Sequence, residues 1–146
     1  MNGEPIVILL VEDDDGHAEL VRRSFEDSKL ANTLIRVADG QEALDYLYRK
    51  SGFSDPAKSP RPGLILLDLR MPRVDGLGVL KILKAEAGLK RIPVVIMTTS
   101  ETEIDIAKAY DLHANSYLVK PMDFSKFTAL MKTLDFYWLA WNRRQS

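Results

Sequence analysis

The chain has 146 residues, enough for one domain with one core, and its 46% hydrophobic and 28% charged residues are typical of a globular protein. Its formal net charge is −1, so no overall basic field favours nucleic acid or an anionic membrane. The absence of cysteine excludes disulfides, thiolate catalysis and zinc–thiolate sites, and two histidines are too few for a histidine-rich metal site. No apolar run approaches the ~20 residues of a membrane span, so we expect a single domain over residues 1–146, located in the cytoplasm.

The first part of the chain alternates two predicted strands with two predicted helices. Residues 6–11 are an unbroken apolar run that predicts a buried strand, and Asp14 or Asp15 is placed to cap the helix that follows. The β-branched run 33–37 predicts a second strand nearer an edge of the sheet. A turn at Asp39 then leads into a second helix, whose apolar face we expect to be Ala43, Leu44, Leu47 and Tyr48.

An irregular segment, residues 51–63, precedes the third predicted strand. Its three prolines, two glycines and mixed charges predict a solvated surface loop, with a partner contact as the alternative. Residues 64–67 are all apolar and lead directly into Asp68, and Pro72 follows four residues later. Such a run predicts a strand buried on both faces of a parallel sheet. Asp68 would lie at the carboxyl edge, where open α/β sheets bind their ligands.

The second part of the chain continues the alternation. A third helix follows the turn at 74–76, a fourth strand covers 94–97, and a fourth helix covers about 103–112. A fifth strand covers 116–119, and a last helix begins near Asp123. Five strands that alternate with five helices predict a doubly wound parallel α/β sheet. The apolar face of the third helix is expected to be Leu77, Leu80, Ile82 and Leu83.

Carboxylate, hydroxyl and ammonium side chains lie at the carboxyl ends of four predicted strands. Glu12 and Asp13 follow the first strand, Asp68 ends the third, Thr98 the fourth and Lys120 the fifth. Three clustered carboxylates need a counter-charge, and oxygen ligands suit Mg²⁺. With a hydroxyl and an ammonium beside them, this set suits phosphoryl transfer to a carboxylate. Neither GxGxxG nor GxxxxGK[ST] follows the first strand, which argues against a dinucleotide or Walker-type site.

Four motifs follow one another along the chain: LLVEDD at 9–14, LLDLRMPRVDG at 66–76, MTT at 97–99 and YLVKP at 117–121. Together they resemble the receiver domain of two-component response regulators, over nearly the whole chain. The resemblance is greatest to the stand-alone receivers that accompany phytochrome-type histidine kinases. It implies a flavodoxin-like (βα)5 fold with five parallel strands in the order 2-1-3-4-5.

The resemblance also implies the metal-binding and phosphoacceptor residues. Asp68 would accept a phosphoryl group from a histidine kinase. Asp13 and Asp68 would bind Mg²⁺ directly, together with the backbone carbonyl of Arg70, and Glu12 would act through metal-bound water. Glu12 replaces an aspartate that is commoner in the family, and this substitution leaves the metal site plausible.

The remaining roles implied by the resemblance concern the phosphorylated state. Thr98 would move to hydrogen-bond the acyl phosphate, and Lys120 would contact a phosphoryl oxygen. Tyr117 would be the aromatic switch behind Thr98. The peptide bond between Lys120 and Pro121 is expected to be cis, which would orient the lysine.

Aromatic residues cover more than one stripe of the predicted last helix. A helix that is apolar most of the way round is expected to bury its second face against another molecule. We therefore expect a homodimer through the fourth helix, fifth strand and fifth helix. Too few residues follow the last helix for a DNA-binding domain, so we expect output through protein contacts. The expected interface residues are Phe136, Tyr137, Trp138 and Trp141.

Two alternatives to a phosphoacceptor signalling protein share the fold or the chemistry. A Mg²⁺-dependent aspartyl phosphatase would want a second acid two residues after its nucleophile, and Arg70 occupies that position. A non-phosphorylated interaction module of the same fold usually lacks part of the acidic and lysine set, and this chain keeps all of it. We therefore expect a response regulator that is not an enzyme in its own right.

Overall fold

The computed structural model describes residues 6–27, 32–69, 75–98, 102, 104–106 and 116–119. Within these residues, five parallel strands form one sheet in the order β2-β1-β3-β4-β5. This confirms the predicted fold class and strand order. The strands are β1 (Ile6–Val11), β2 (Asn32–Val37), β3 (Leu64–Asp68), β4 (Val94–Thr98) and β5 (Ser116–Val119).

The three helices with full bounds each follow a strand. They are α1 (Asp15–Asp27), α2 (Gly40–Tyr48) and α3 (Gly76–Ala85). Each begins after an aspartate whose carboxylate accepts a hydrogen bond from a backbone N–H of the first turn, because these amides have no partner within the helix. The acceptors are Asp14 for α1, which decides between the two predicted caps, Asp39 for α2 and Asp75 for α3.

The central strands are buried on both faces, as their continuous apolar runs predict. Every residue of β3 and of β4 is buried, including the two polar residues that end them, Asp68 and Thr98. Alternate residues of β1, β3 and β4 pack against α2 and α3 in one core cluster. Burial at this level is the main stabilising contribution to such a domain.

Two predicted helix faces differ from the structure by one residue each. On α2, Tyr46 is buried and Tyr48 is 39% exposed, whereas the apolar spacing predicted the reverse. On α3, Val79 is buried and Ile82 is 37% exposed, so the prediction for Ile82 was wrong. Tyr46 can be buried because its hydroxyl donates a hydrogen bond to the carbonyl of Pro60.

The segment after α2 is a surface loop, as predicted from its composition, since most of its described residues are exposed, and it is anchored to α2 at several points. It contains a 3-10 turn, Ser51–Phe53, and the Phe53 ring meets the Tyr46 ring edge-on with centroids 5.4 Å apart. Arg49 ends α2 with a φ of 55°, in the left-handed region. Three side-chain bonds to backbone carbonyls join this segment to α2: Tyr46 to Pro60 (2.7 Å), Arg49 to Ser59 (3.3 Å) and Arg61 to Leu47 (2.8 Å).

Some predicted elements lie outside the described residues. Residues 102 and 104–106 are helical, in agreement with a fourth helix, but the rest of that helix and the whole predicted last helix lie outside. No helix in the described part of the chain has the length and apolar character needed to cross a membrane.

Candidate functional site

The parallel register places the ends of the central strands at one level. Val11, the last residue of β1, pairs with Leu67, and Asp68 pairs with Met97 of β4. The end of β4 pairs in turn with the end of β5, Thr98 with Val119. Residues at or just after these ends therefore meet at one edge of the sheet, as the topology of an open α/β sheet requires.

Three of the predicted site residues form an acidic cluster at this edge. Carboxylate oxygens of Glu12, Asp13 and Asp68 all lie within 4.8 Å of one another. Glu12 is fully buried and Asp68 is 5% exposed, whereas Asp13 is exposed to solvent. Carboxylates this close repel one another, and burial of two of them strengthens the repulsion. A set of three hard oxygen ligands fits a divalent cation such as Mg²⁺ or Mn²⁺.

Glu12 is held at the start of α1 by its neighbours in the turn. Its Oε2 accepts a hydrogen bond from the backbone N–H of Asp14 at 3.2 Å, and its own N–H donates to the carbonyl of Val37 at 3.1 Å. The imidazole Nδ1 of His17 lies 4.0 Å from Glu12 Oε1. The positive end of the α1 dipole also favours an anion at this position.

Gly76 brings the start of α3 against the backbone of the Asp68 strand. Its N–H donates to the carbonyl of Leu69 at 3.0 Å. A Cβ on Gly76 would lie 2.7 Å from the Cα of Leu69 and closer still to the carbonyl oxygen of Asp68. Only glycine allows this approach without a shift of the backbone, which gives a steric reason for glycine at position 76.

The fourth described site residue, Thr98, is 1% exposed at the end of β4, next to the Asp68 strand. Tyr117 lies in β5, paired with Ile96, and the structure describes its backbone alone. The other predicted site residues lie outside the described residues, and their roles stay predictions: Arg70, Lys120, Pro121, Phe136, Tyr137, Trp138 and Trp141.

Two side chains at this edge were not found by sequence reasoning, Arg36 and His17. Arg36 of β2 donates from Nε to the carbonyl of Glu12 at 3.0 Å and from Nη1 to Asp15 Oδ1 at 2.7 Å. Strand alternation predicts that Arg36 faces outward. It does not predict which atoms an outward side chain reaches. The approach of His17 to Glu12 was likewise not predicted.

Comparison with known proteins decides the family. The family model for the response regulator receiver domain matches residues 8–132. The chain belongs to this family. Membership implies a signalling protein of phosphorelay systems, in which an aspartate of the receiver is phosphorylated, and it explains why carboxylates meet at the strand ends. It also confirms the resemblance inferred from the four motifs.

Two curated relatives match this receiver over most of their length. The chain is 42% identical over 140 residues to the probable methanogenesis regulatory protein FilR2 of Methanothrix harundinacea, covering 96% of this chain and 88% of the relative. It is 40% identical over 135 residues to the response regulator Rcp1 of Synechocystis, covering 92% of this chain and 90% of Rcp1.

Solved structures place this receiver beside phytochrome response regulators. The phosphorylated cyanobacterial phytochrome response regulator RcpA matches with a TM-score of 0.78 and 38% identity, covering 93% of this chain and 95% of RcpA. The Mn²⁺-bound structure of Rcp1 matches with a TM-score of 0.78 and 40% identity, covering 92% and 95% of the two chains. Receiver domains bind a divalent metal, and the acidic cluster of this chain has the ligand chemistry for one.

Proposed function

We propose that this receiver accepts a phosphoryl group from the phosphohistidine of a histidine kinase onto Asp68, with Mg²⁺ as its divalent ion. The observation that most supports this is the approach of Glu12, Asp13 and Asp68 to within 4.8 Å at the ends of neighbouring strands. In the transfer, an oxygen of Asp68 forms a bond to phosphorus as the phosphorus–nitrogen bond breaks, and the imidazole leaves with the electron pair and takes up a proton. Bound Mg²⁺ would supply positive charge to the phosphoryl oxygens.

The backbone around Asp68 suits a nucleophile that has to attack in line. β3 is fully buried, and the N–H of Leu69 donates to the carbonyl of Met97 at 3.2 Å, so the strand restricts the direction of the Asp68 side chain. Preset geometry of this kind lowers the entropic part of a barrier. We propose that Asp13, Asp68 and the carbonyl of Arg70 hold the ion, and that Glu12 acts through metal-bound water.

We propose that Thr98 and Lys120 bind the phosphoryl group after transfer. Thr98 is buried at the end of β4, and Lys120 follows directly after Val119, the residue that pairs with Thr98. Tyr117 would then move inward as Thr98 moves, and the cis bond at Pro121 would orient Lys120. The acyl phosphate would shift an equilibrium between two conformations that is read on the fourth helix, β5 and the last helix.

A mass measurement tests the proposed reaction. Incubation of the receiver with acetyl phosphate and Mg²⁺ should add the mass of one phosphoryl group to the intact protein. The variant Asp68→Asn should add none, because an amide is not a competent nucleophile for this transfer. The matched control is Asp55→Asn, which makes the same change in the exposed loop after α2 and should be phosphorylated like the wild type. An unmodified wild-type protein would disprove the proposal.

We propose a phytochrome-type histidine kinase as the phosphodonor. The support is the similarity to the cyanobacterial phytochrome response regulator RcpA and to the bacteriophytochrome response regulator RtBRR. Phosphoryl transfer from a purified, autophosphorylated kinase of this type should be faster than from a histidine kinase of another class. Equal rates from both donors would contradict this choice of partner.

We propose that the receiver forms a homodimer and has no enzymatic turnover or nucleic acid partner of its own. The support is the aromatic pattern of the predicted last helix and the arginine at position 70. We further propose that residues 1–146 form one receiver domain that acts in the cytoplasm. Sedimentation equilibrium should give the mass of a dimer, whereas a monomer at every concentration would contradict the interface assigned to Phe136, Tyr137, Trp138 and Trp141.

A further inference from the structure

Arg36 joins β2 to the turn that bears the acidic residues. This turn, residues 12–15, connects the end of β1 to the first residue of α1. The guanidinium of Arg36 contacts the turn near both ends, at the carbonyl of Glu12 (3.0 Å) and at the carboxylate of Asp15 (2.7 Å). Asp13, an expected metal ligand, lies between these two points along the chain.

We propose that Arg36 is a positioning residue of the metal site, which sets the Glu12–Asp13 peptide so that Asp13 faces Asp68 before a metal binds. The peptide unit is planar, so fixing the carbonyl of Glu12 also fixes the direction in which the chain enters Asp13. Arg36 touches none of the three carboxylates of the cluster, and it acts through the backbone of the turn. The inference rests on the proposed metal-dependent function.

The energetics of the two bonds favour an effect on geometry over an effect on stability. The side chain of Asp15 is 93% exposed, and an ion pair in such a position contributes little to the stability of the fold. The bond from Nε to the Glu12 carbonyl is partly buried and is charge-assisted, so it is the stronger restraint. Removal of Arg36 should therefore loosen the turn more than it destabilises the domain.

The charge of Arg36 acts in the opposite direction to its positioning effect. A guanidinium beside the cluster repels a divalent cation, so its removal alone would strengthen metal binding. Arg36→Lys keeps this charge and loses the planar fork that reaches two acceptors. Arg36→Gln loses both the charge and the fork. Its charge effect is suppressed at about 1 M NaCl, where the Debye length is about 3 Å.

Mn²⁺ titration followed by electron paramagnetic resonance of the free ion tests the proposal. Arg36→Lys should raise the Kd for Mn²⁺ about three- to tenfold, and Arg36→Gln should do the same at about 1 M NaCl. The control variants are Arg23→Lys and Arg23→Gln, since Arg23 contacts Glu19 on α1 and lies outside the turn. These variants should keep the wild-type Kd. Urea unfolding of the metal-free Arg36 variants should show only a small loss of stability, because one partly buried hydrogen bond is removed, and phosphorylation at saturating Mg²⁺ should return to the wild-type rate.

The outcomes separate the positioning role from the proposed function. An unchanged Kd in Arg36→Lys, in a protein whose wild type binds Mn²⁺, would overturn the positioning role alone. A loss of metal-free stability with an unchanged Kd would also overturn it, because Arg36 would then be only structural. A wild type that binds no Mn²⁺ would overturn both the positioning role and the metal-dependent function.

Discussion

Gly76 is the point at which α3 touches the backbone of the strand that ends in Asp68. A methyl group there would overlap the carbonyl oxygen of Asp68 and the Cα of Leu69, and neither backbone atom can rotate away. We expect Gly76→Ala to reduce the free energy of unfolding by about 2 kcal/mol, within the range measured for overpacking. Urea denaturation measures this loss, and slower phosphorylation by acetyl phosphate should accompany it, since the shift displaces Asp68.

Gly88→Ala is the matched control for this clash. A Cβ at Gly88 would have no atom within 4 Å, so the same substitution should change stability little. Because alanine is favoured over glycine inside a helix, propensity alone would make Gly76→Ala stabilising. Equal stability of the two alanine variants would therefore show that the backbone at Gly76 relaxes at no cost.

At the scale of single residues, sequence reasoning found the three clustered carboxylates and missed the side chain that contacts their turn. Asp68 was predictable because an apolar run, a carboxylate and a nearby proline occur in adjacent positions of the chain. Arg36 was not predictable, because its two acceptors are 24 and 21 residues away in sequence. Its contacts depend on the register of β1 against β2 and on the reach of a long side chain, and neither follows from a local pattern.

At the scale of elements, Tyr46 ties the segment after α2 to the helix. Its hydroxyl donates to the carbonyl of Pro60, and burial raises the pKa of Tyr46 above its ordinary value of 10.0. We expect Tyr46→Phe to reduce the free energy of unfolding by about 1 kcal/mol near neutral pH, the usual net value of one hydrogen bond. Urea denaturation measures it, and Phe53 should keep its edge-on ring contact in the variant.

The raised pKa of Tyr46 also gives this contribution a pH dependence with a definite sign. Above pH 10 the unfolded chain ionises at this tyrosine while the folded chain retains the proton, so stability is lost as pH rises through the folded pKa. The stability difference between wild type and Tyr46→Phe should therefore be constant below about pH 9 and shrink at higher pH. A difference that stays constant up to pH 11 would contradict the burial of the hydroxyl.

The helix faces illustrate what apolar spacing predicts and what it leaves open. The spacing placed the helices and most of their buried residues, because burial of an apolar stripe is the main constraint on a surface helix. It failed at Tyr46 and Tyr48, which have the same side chain and differ in the partners available. Tyr46 has the carbonyl of Pro60 within reach, and the segment that supplies it is irregular in sequence.

At the scale of the whole molecule, the site was predictable because parallel topology brings strand ends together. Residues 12, 68 and 98 are far apart in sequence, yet all follow short apolar runs that predict strands of one sheet. The surface loop over residues 51–63 was predictable from its prolines and glycines, but its anchoring to α2 was not. Its order depends on tertiary hydrogen bonds from Tyr46, Arg49 and Arg61.

The acidic cluster should also link metal binding to the stability of the whole domain. A cation that binds only the folded state stabilises it by about 2.7 kcal/mol at a concentration 100 times its Kd. Asp13→Asn removes one of three negative charges within 4.8 Å, so metal-free stability should stay equal or rise by up to about 1 kcal/mol. The increase in the free energy of unfolding on adding Mg²⁺ should fall by about 1.4 kcal/mol for each tenfold rise in the Kd for Mg²⁺.

Urea unfolding in EDTA and in Mg²⁺ separates the two effects of Asp13→Asn. Asp55→Asn is the control, because it makes the same change in charge away from the cluster and should keep the full gain from Mg²⁺. If the carboxylates are arranged for a cation at the expense of the metal-free fold, Asp13→Asn should gain less stability from Mg²⁺ than the wild type. Its stability in EDTA should not be lower. Equal Mg²⁺ gains in both variants would remove Asp13 from the ligand set, and lower stability in EDTA would mean that its carboxylate serves the fold itself.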